Sequence, residues 1–230
     1  MKPKLLLFIA LCIRFGDSFA QTPDSLKTAN VPAQGVPIPI ELFAGNQGFS
    51  SQLIVSKQFL PTSKFGFFNV TSFASGYEQA NQTTSFISQS CLTAEVLKGI
   101  SVIAGLSAMD FPGTSLNVRP TAGLQYLLFS RDVSVFVLPR FDLTQTNNFE
   151  TLAVLEYKPM LSKNWGIYTR VEGLYNYNTK LGYHEITEIN LRLGLSYKNV
   201  QFGVGSIQDY YGPDSYNVNN FGLFIKTDLF

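Results

Sequence analysis

Val133 to Leu143 reads VSVFVLPRFDL, with apolar Val133, Val135, Val137, Pro139, Phe141 and Leu143 at the odd positions and Ser134, Arg140 and Asp142 among the even ones. Successive side chains of a strand point to opposite faces, so the run has one apolar face and one face that carries charge. The split recurs along the chain. Leu116, Val118, Pro120, Ala122, Leu124, Tyr126 and Leu128 oppose Asn117, Arg119, Thr121 and Gln125. Trp165, Ile167, Val171 and Tyr175 oppose Arg170 and Glu172, and Ile189, Leu191, Leu193, Leu195 and Tyr197 oppose Glu188, Asn190 and Arg192. Arg119, Arg140, Arg170 and Arg192 therefore share the polar face of their strands. Turning one of them into lipid costs about 2–4 kcal/mol near a bilayer midplane. Four such penalties rival the ~5–15 kcal/mol by which a domain is stable, so the register is strongly specified.

Candidate strands cover 38–45, 48–59, 64–75, 84–97, 100–109, 116–129, 133–143, 149–159, 164–176, 185–197, 200–208 and 218–230. Most are near the ~9–11 residues that a tilted strand needs to cross a bilayer. Every other connection is short: 60–63, 98–99, 130–132, 160–163 and 198–199. Between them lie mostly longer segments rich in turn formers and Tyr, such as SGYEQANQ, DFPGTS, NYNTKLGYH and DYYGPDSYN. That alternation, with both termini at one end, is the pattern of single-chain outer-membrane barrels. The expected fold is all-β: one transmembrane antiparallel up-and-down β-barrel over 38–230, of about twelve strands, with ten or eight as alternatives. A soluble sandwich or lipocalin-like barrel would instead bury the apolar face and wet the charges. Phe65, Phe67, Phe68, Trp165, Tyr168, Tyr175 and Tyr177 are expected as interfacial aromatics. Pro120 and Pro139 each delete a ladder donor in a sheet without edges, which predicts bulges there.

The chain begins with basic Lys2 and Lys4, an apolar Leu5–Ile13 run and Ser18-Phe19-Ala20, the arrangement of a secretory signal cleaved near Ala20. A lipoprotein alternative would use Cys12, although bulky Leu11 and Arg14 fit it poorly. Residues 21–37 are polar, Pro-rich and aperiodic, and read as a periplasmic leader. Removing the signal leaves 14 basic and 15 acidic side chains, so no basic field exists for nucleic acid. Cys91 alone remains, which rules out a disulfide within the mature chain. No run of 18 apolar residues follows the signal, so a helical span is excluded.

The ending NFGLFIKTDLF resembles the C-terminal strand that outer-membrane barrels present to their assembly machinery. With ELFAGNQG, FGFFNVTSF and YGPDSYNVNNFGLF, the mature chain resembles the small outer-membrane barrel proteins of Bacteroidota, a group that implies no particular activity. The resemblance implies residence in the cell outer membrane of a Gram-negative bacterium. The implied partners are outer-membrane lipid, lipopolysaccharide and the barrel assembly machinery, the last through Phe230. Phe230 departs from the pattern, since Phe221, Leu223, Ile225, Thr227 and Leu229 form the apolar set and Phe230 falls in phase with Lys226 and Asp228.

Candidate chemistry is sparse. His184, the single histidine, stands beside Glu185 in an expected outer loop and lacks the His-x-Ser spacing of lipid A deacylases, so a hydrolase is the minor alternative and no catalytic residue is assigned. Asp209 and Asp214 beside Tyr210 and Tyr211 fit a turn at Gly212-Pro213 better than a calcium site. No metal or other cofactor is expected. The richer signal is the inward charge: Arg119, Arg140, Asp142, Glu150, Glu156, Lys158, Arg170, Glu172, Glu188 and Arg192, with Glu41 and Glu95. Neighbouring strands let Glu156 approach Arg170 and Arg140 approach Glu150. Arg140, Arg170 and Arg192 are expected along one wall, held by Glu150, Glu156, Glu172 and Glu188. Either these pairs brace a filled, closed barrel that displays loops, or they line a narrow passive channel for small polar or anionic solutes.

Overall fold

The computed structural model describes residues 36–77, 85–110, 116–144, 147–212 and 216–229. The expected signal and nearly all of the leader lie outside the described residues, as do Phe230 and Asp214. The described residues form twelve strands: β1 (Ile38–Gly45), β2 (Gly48–Gln58), β3 (Phe65–Gly76), β4 (Ser85–Leu97), β5 (Ile100–Asp110), β6 (Asn117–Phe129), β7 (Val133–Asp142), β8 (Asn148–Tyr157), β9 (Trp165–Asn178), β10 (Tyr183–Tyr197), β11 (Val200–Tyr211) and β12 (Tyr216–Leu229). Each pairs antiparallel with its sequence neighbour, and β12 returns to β1, closing the barrel. Ile38 stands opposite Leu229, so the two ends of the barrel chain meet at one rim, called here the terminal end. At the far rim the seam is tied by Asn220 and Asn46: the Gln47 amide donates to Asn220 Oδ1 (2.9 Å) and the Phe221 amide to Asn46 Oδ1 (2.8 Å).

Polarity runs inside out relative to a soluble barrel. Leu223 is 65% exposed on the exterior and Arg140 0% inside. Exposed exterior aromatics collect toward both rims, Tyr126, Tyr157, Trp165 and Tyr197 near the terminal end and Phe49, Tyr175 and Phe221 toward the far end, with aliphatic Leu42, Leu106, Leu155, Val171, Leu193 and Ile225 among the exposed residues between them. That is the belt-and-girdle surface of a barrel solvated by lipid. The soluble alternative fails here, because its apolar face would be turned inward.

Several local expectations are corrected. Phe68 and Tyr168 are not interfacial; both are buried within the barrel. Phe68 stacks on Phe136 (5.1 Å) in an apolar cluster with Val70, Cys91, Ile103, Leu138 and Leu152, which fills the lumen beside β3–β8. The prolines produce no register shift. The β6–β7 ladder skips two steps between Gly123↔Arg140 and Tyr126↔Val137, opposite Pro139, and resumes in the same register. Pro120 pairs with Leu106 without interruption, and its carbonyl still accepts from the Leu143 amide at 2.8 Å. Shifts occur instead at Glu95/Leu97 and at His184/Ile186. The far-end connections are also shorter than expected, since β9–β12 extend into the NYNTKLGYH and DYYGPDSYN segments, leaving 179–182 between β9 and β10.

Candidate functional site: a vestibule above paired charges

β5 to β8 bring one sealed cluster together near the far end. Arg140 donates through Nε and Nη2 to Glu150 Oε1 (3.0 and 2.6 Å), through Nη1 to Thr121 Oγ1 (3.2 Å) and Asp142, and through Nη2 to Ser107 Oγ (3.2 Å). Arg119 approaches Asp142 at 3.2 Å. Strand phase explains the meeting: Arg140 and Asp142 lie two residues apart on β7, and Glu150 is the ladder partner of Arg140 on β8. All nitrogens of the Arg140 head have acceptors, which is the condition for holding a guanidinium away from water.

A second layer crosses the middle of the lumen. Arg170 on β9 donates to Glu41 Oε2 (3.1 Å) on β1, to Glu172 and to Gln52. Arg192 on β10 reaches the other oxygen of Glu41 (2.8 Å) and lies over the Phe43 ring, 4.4 Å from its centroid. Glu156 is the ladder partner of Arg170, yet no ion pair joins them. The Glu156 carboxylate turns instead to Lys226 (3.1 Å), Lys158 (3.2 Å) and the Tyr168 hydroxyl (2.9 Å), in a third layer toward the terminal end that also holds Asp228. Glu188 likewise does not hold Arg192; its Oε1 accepts from the Asn190 amide at 2.6 Å.

Above the middle layer a cavity of about 960 Å³ occupies the far half of the barrel. Its lining runs from Asn46, Gln47 and Tyr77 at the rim down to Glu41, Arg170 and Arg192, and is supplied by β1–β4 and β9–β12. Ligand pockets commonly span ~300–1,000 Å³, so this vestibule has room for a small solute. Five carboxylates border it (Glu41, Glu172, Glu185, Glu188, Asp209) against two guanidiniums, Arg170 and Arg192. Both guanidiniums are nine-tenths or more buried and matched by Glu41 and Glu172, whereas Glu185, Glu188 and Asp209 have no Lys or Arg at ion-pair distance among the described residues. Glu185 is held at the rim by amide donors of Asn148 (2.6 Å) and Asn178 (2.7 Å).

His184 is part of β10, not a loop, and sits at the bulge with Nδ1 at 3.0 Å from the Gly212 carbonyl and Nε2 at 2.8 Å from Thr187 Oγ1. Asp209 faces the lumen opposite Glu188 on β11 and is not a turn residue. Glu95 accepts from the Gly99 amide (2.9 Å) at the terminal-end turn, far from the vestibule. Among the described residues no group of three or more metal-ligating side chains converges. Lys226, Asp228, Gln52 and Tyr168 belong to the charged layers and are absent from the inward charges expected from the sequence, although Lys226 and Asp228 fall in the polar phase of their strand.

A closed antiparallel barrel with a lipid-compatible exterior and a polar, charged interior defines the outer-membrane β-barrel class. No family model and no curated protein matches the chain. Among solved structures, a KdgM porin aligns over 84% of this chain and 98% of its own length at 17% identity and a TM-score of 0.43. A NanC porin aligns over 84% and 100% at 10% identity and a TM-score of 0.45. OpdQ of Pseudomonas aeruginosa aligns over 80% and 67% at 8% identity and a TM-score of 0.39. At these identities and scores nothing about this chain's solutes follows from the likeness.

Proposed function

We propose that the protein is an integral outer-membrane barrel that gives small polar solutes a narrow passive route, entered through the vestibule, without catalysing a reaction. The observation that carries this reading is the cavity of about 960 Å³, bordered by charged and amide side chains, inside a closed barrel whose exterior is apolar. Such an exterior is stable only in lipid, and a barrel in lipid joins two aqueous compartments. Among the described residues, what closes the lumen below the cavity is side chains, the Glu41–Arg170–Arg192 layer and the Glu156–Lys226 layer beneath it. Ion-paired side chains can exchange partners with a passing solute, and anions pass where they displace the carboxylates that hold Arg170 and Arg192. The test is single-channel conductance of the purified protein in planar bilayers: discrete small steps are expected, far below those of a ~16–18-strand general porin.

A second reading has its own observation. Arg170 is 4% exposed, and the Phe68–Phe136 cluster fills the lumen on the β3–β8 side, which favours a closed barrel that binds solute or partners only at its far end. Silent bilayers from protein that is shown to be folded and inserted would select it. Under either reading the protein fractionates with the outer membrane and needs detergent for extraction; a freely soluble periplasmic form would overturn both.

A further inference from the structure

The wall of the vestibule contains acceptors without donors. Asn190 is 9% exposed, and its amide nitrogen donates to Glu188 Oε1 (2.6 Å) and Glu172 Oε1 (3.2 Å), which places the amide head between two carboxylates. Its carbonyl Oδ1 is buried with no hydrogen-bond partner. Across the β10–β11 ladder, Asp209 stands directly opposite Glu188; its Oδ2 takes the Tyr211 hydroxyl at 3.2 Å, and its Oδ1 is likewise buried without a partner. Neither carboxylate has a Lys or Arg at ion-pair distance among the described residues, and all these side chains border the same cavity. An unmet buried acceptor costs roughly 1–3 kcal/mol, more beside a charge, so a cluster of unmet acceptors is a place prepared for donors.

We infer that Asn190, Glu188 and Asp209 form a binding site for the primary ammonium group of a small organic cation. A primary ammonium has three N–H donors and a full positive charge. The Asn190 carbonyl, Asp209 Oδ1 and the second oxygen of Glu188 supply three acceptors, and a bound ammonium charge favours the ionised form of both carboxyl groups. A quaternary ammonium has the charge and no donors, and a carboxylate has neither. The inference deepens the channel reading by naming a solute class for its entrance, and it rests on the vestibule being reached from the far end.

Titration calorimetry of the purified protein in detergent, with ethylammonium and tetramethylammonium chloride as probes, tests the site without requiring conduction. Ethylammonium is expected to bind at least about tenfold more tightly than tetramethylammonium, as a net gain of one charge-assisted hydrogen bond implies. The isosteric pair Glu188→Gln with Asp209→Asn should remove that preference while the heat-dependent gel shift of the folded barrel is retained. Equal affinity for the two cations on the unaltered protein means a diffuse negative field and overturns the site, whatever the variants do. No saturable binding, with water alone filling the wall, overturns it too. Potassium conductance is read separately. A barrel that conducts but does not discriminate refutes the ammonium site and leaves the passive route standing. One that discriminates but never conducts does the reverse.

Discussion

Arg140 and Arg170 are both buried arginines on the inner face of this barrel, and they are held in opposite ways. Arg140 belongs to the β5–β8 side, where Glu150, Asp142, Thr121 and Ser107 saturate its head and no part of it is exposed. Arg170 belongs to the β9 side, where it is shared among Glu41, Glu172 and Gln52, keeps an Nε without a partner and forms part of the vestibule floor. A saturated guanidinium sealed from the cavity has nothing left to offer a solute, so it braces. An unsaturated one beside open volume is free to exchange partners, which is what the proposed route asks of a gate. The polar phase of the strands delivers both arginines inward; what divides them is whether the neighbouring strands fill the space above.

The largest effect is expected from Arg140→Ala. It leaves Asp142 and Glu150 without their buried cation, a loss of the kind that costs about 3–5 kcal/mol. Reversible unfolding in detergent or lipid measures it, and conductance should change little. A loss below about 1 kcal/mol would show that water reaches the cluster and would erase the contrast with Arg170.

The contrast also presupposes that even positions of β7 face inward. Val135→Arg turns a charge into lipid and is expected to cost about 2–4 kcal/mol if that residue lies near the midplane, whereas Ser134→Arg, on the opposite face, should be milder. Equal damage from the two in the same unfolding assay would mean that the faces are misassigned and that neither arginine is where it is described.

Arg170→Ala sharpens the comparison directly. Glu41 keeps Arg192 at 2.8 Å, Glu172 keeps the Asn190 amide, and both carboxylates border the cavity, where water can replace the lost donor. The expected loss is therefore smaller, about 1–3 kcal/mol, and the floor opens. Conductance should rise, with a shift toward cations as a positive charge leaves the layer. A stability loss equal to that of Arg140→Ala, with conductance unchanged, would mark the floor as a second brace and support the closed-barrel reading.

How far these residues were legible in the sequence follows from the range of each signal. Period-two alternation is local, so the bounds of β1, β10's inner face and the inward phase of the four arginines can be read from a dozen residues at a time. Partner choice is not local. Arg170 and Glu156 are ladder partners, but a guanidinium on a long stem reaches across the lumen, and Glu41 lies 129 residues away in sequence. Only closure of β12 on β1 brings that carboxylate within range of Arg170 and Arg192. Phe68 and Tyr168 misled for a related reason: an aromatic side chain suits an interfacial girdle and a packed lumen equally, and the phase of Phe68 is weak in a strand where Phe65, Phe67 and Phe68 crowd together. The prolines misled because a missing donor was expected to shift the register, whereas the ladder simply lapses opposite Pro139.

The smallest effect is expected at the outer surface, where His184 repeats the logic of Arg140 on a modest scale. Its two ring nitrogens are both engaged, by the Gly212 carbonyl and the Thr187 hydroxyl, and its ring lies 5.6 Å from that of Tyr175. Those contacts tie the end of β11 and the face of β9 to the bulge of β10, so the imidazole acts as a staple at the far rim. Truncation removes two hydrogen bonds from a half-buried site, and His184→Ala is expected to cost about 1 kcal/mol in reversible unfolding. A hydrolase would respond differently, because an imidazole that serves as general base contributes roughly 10²–10⁴-fold in rate. Hydrolysis of short-chain esters and of phospholipid by the unaltered protein and by His184→Ala should therefore be equally at background. Turnover by the unaltered protein that disappears in the variant, with folding intact, would replace the staple with a catalytic His184 and withdraw the claim that saturated polar groups in this barrel only brace it.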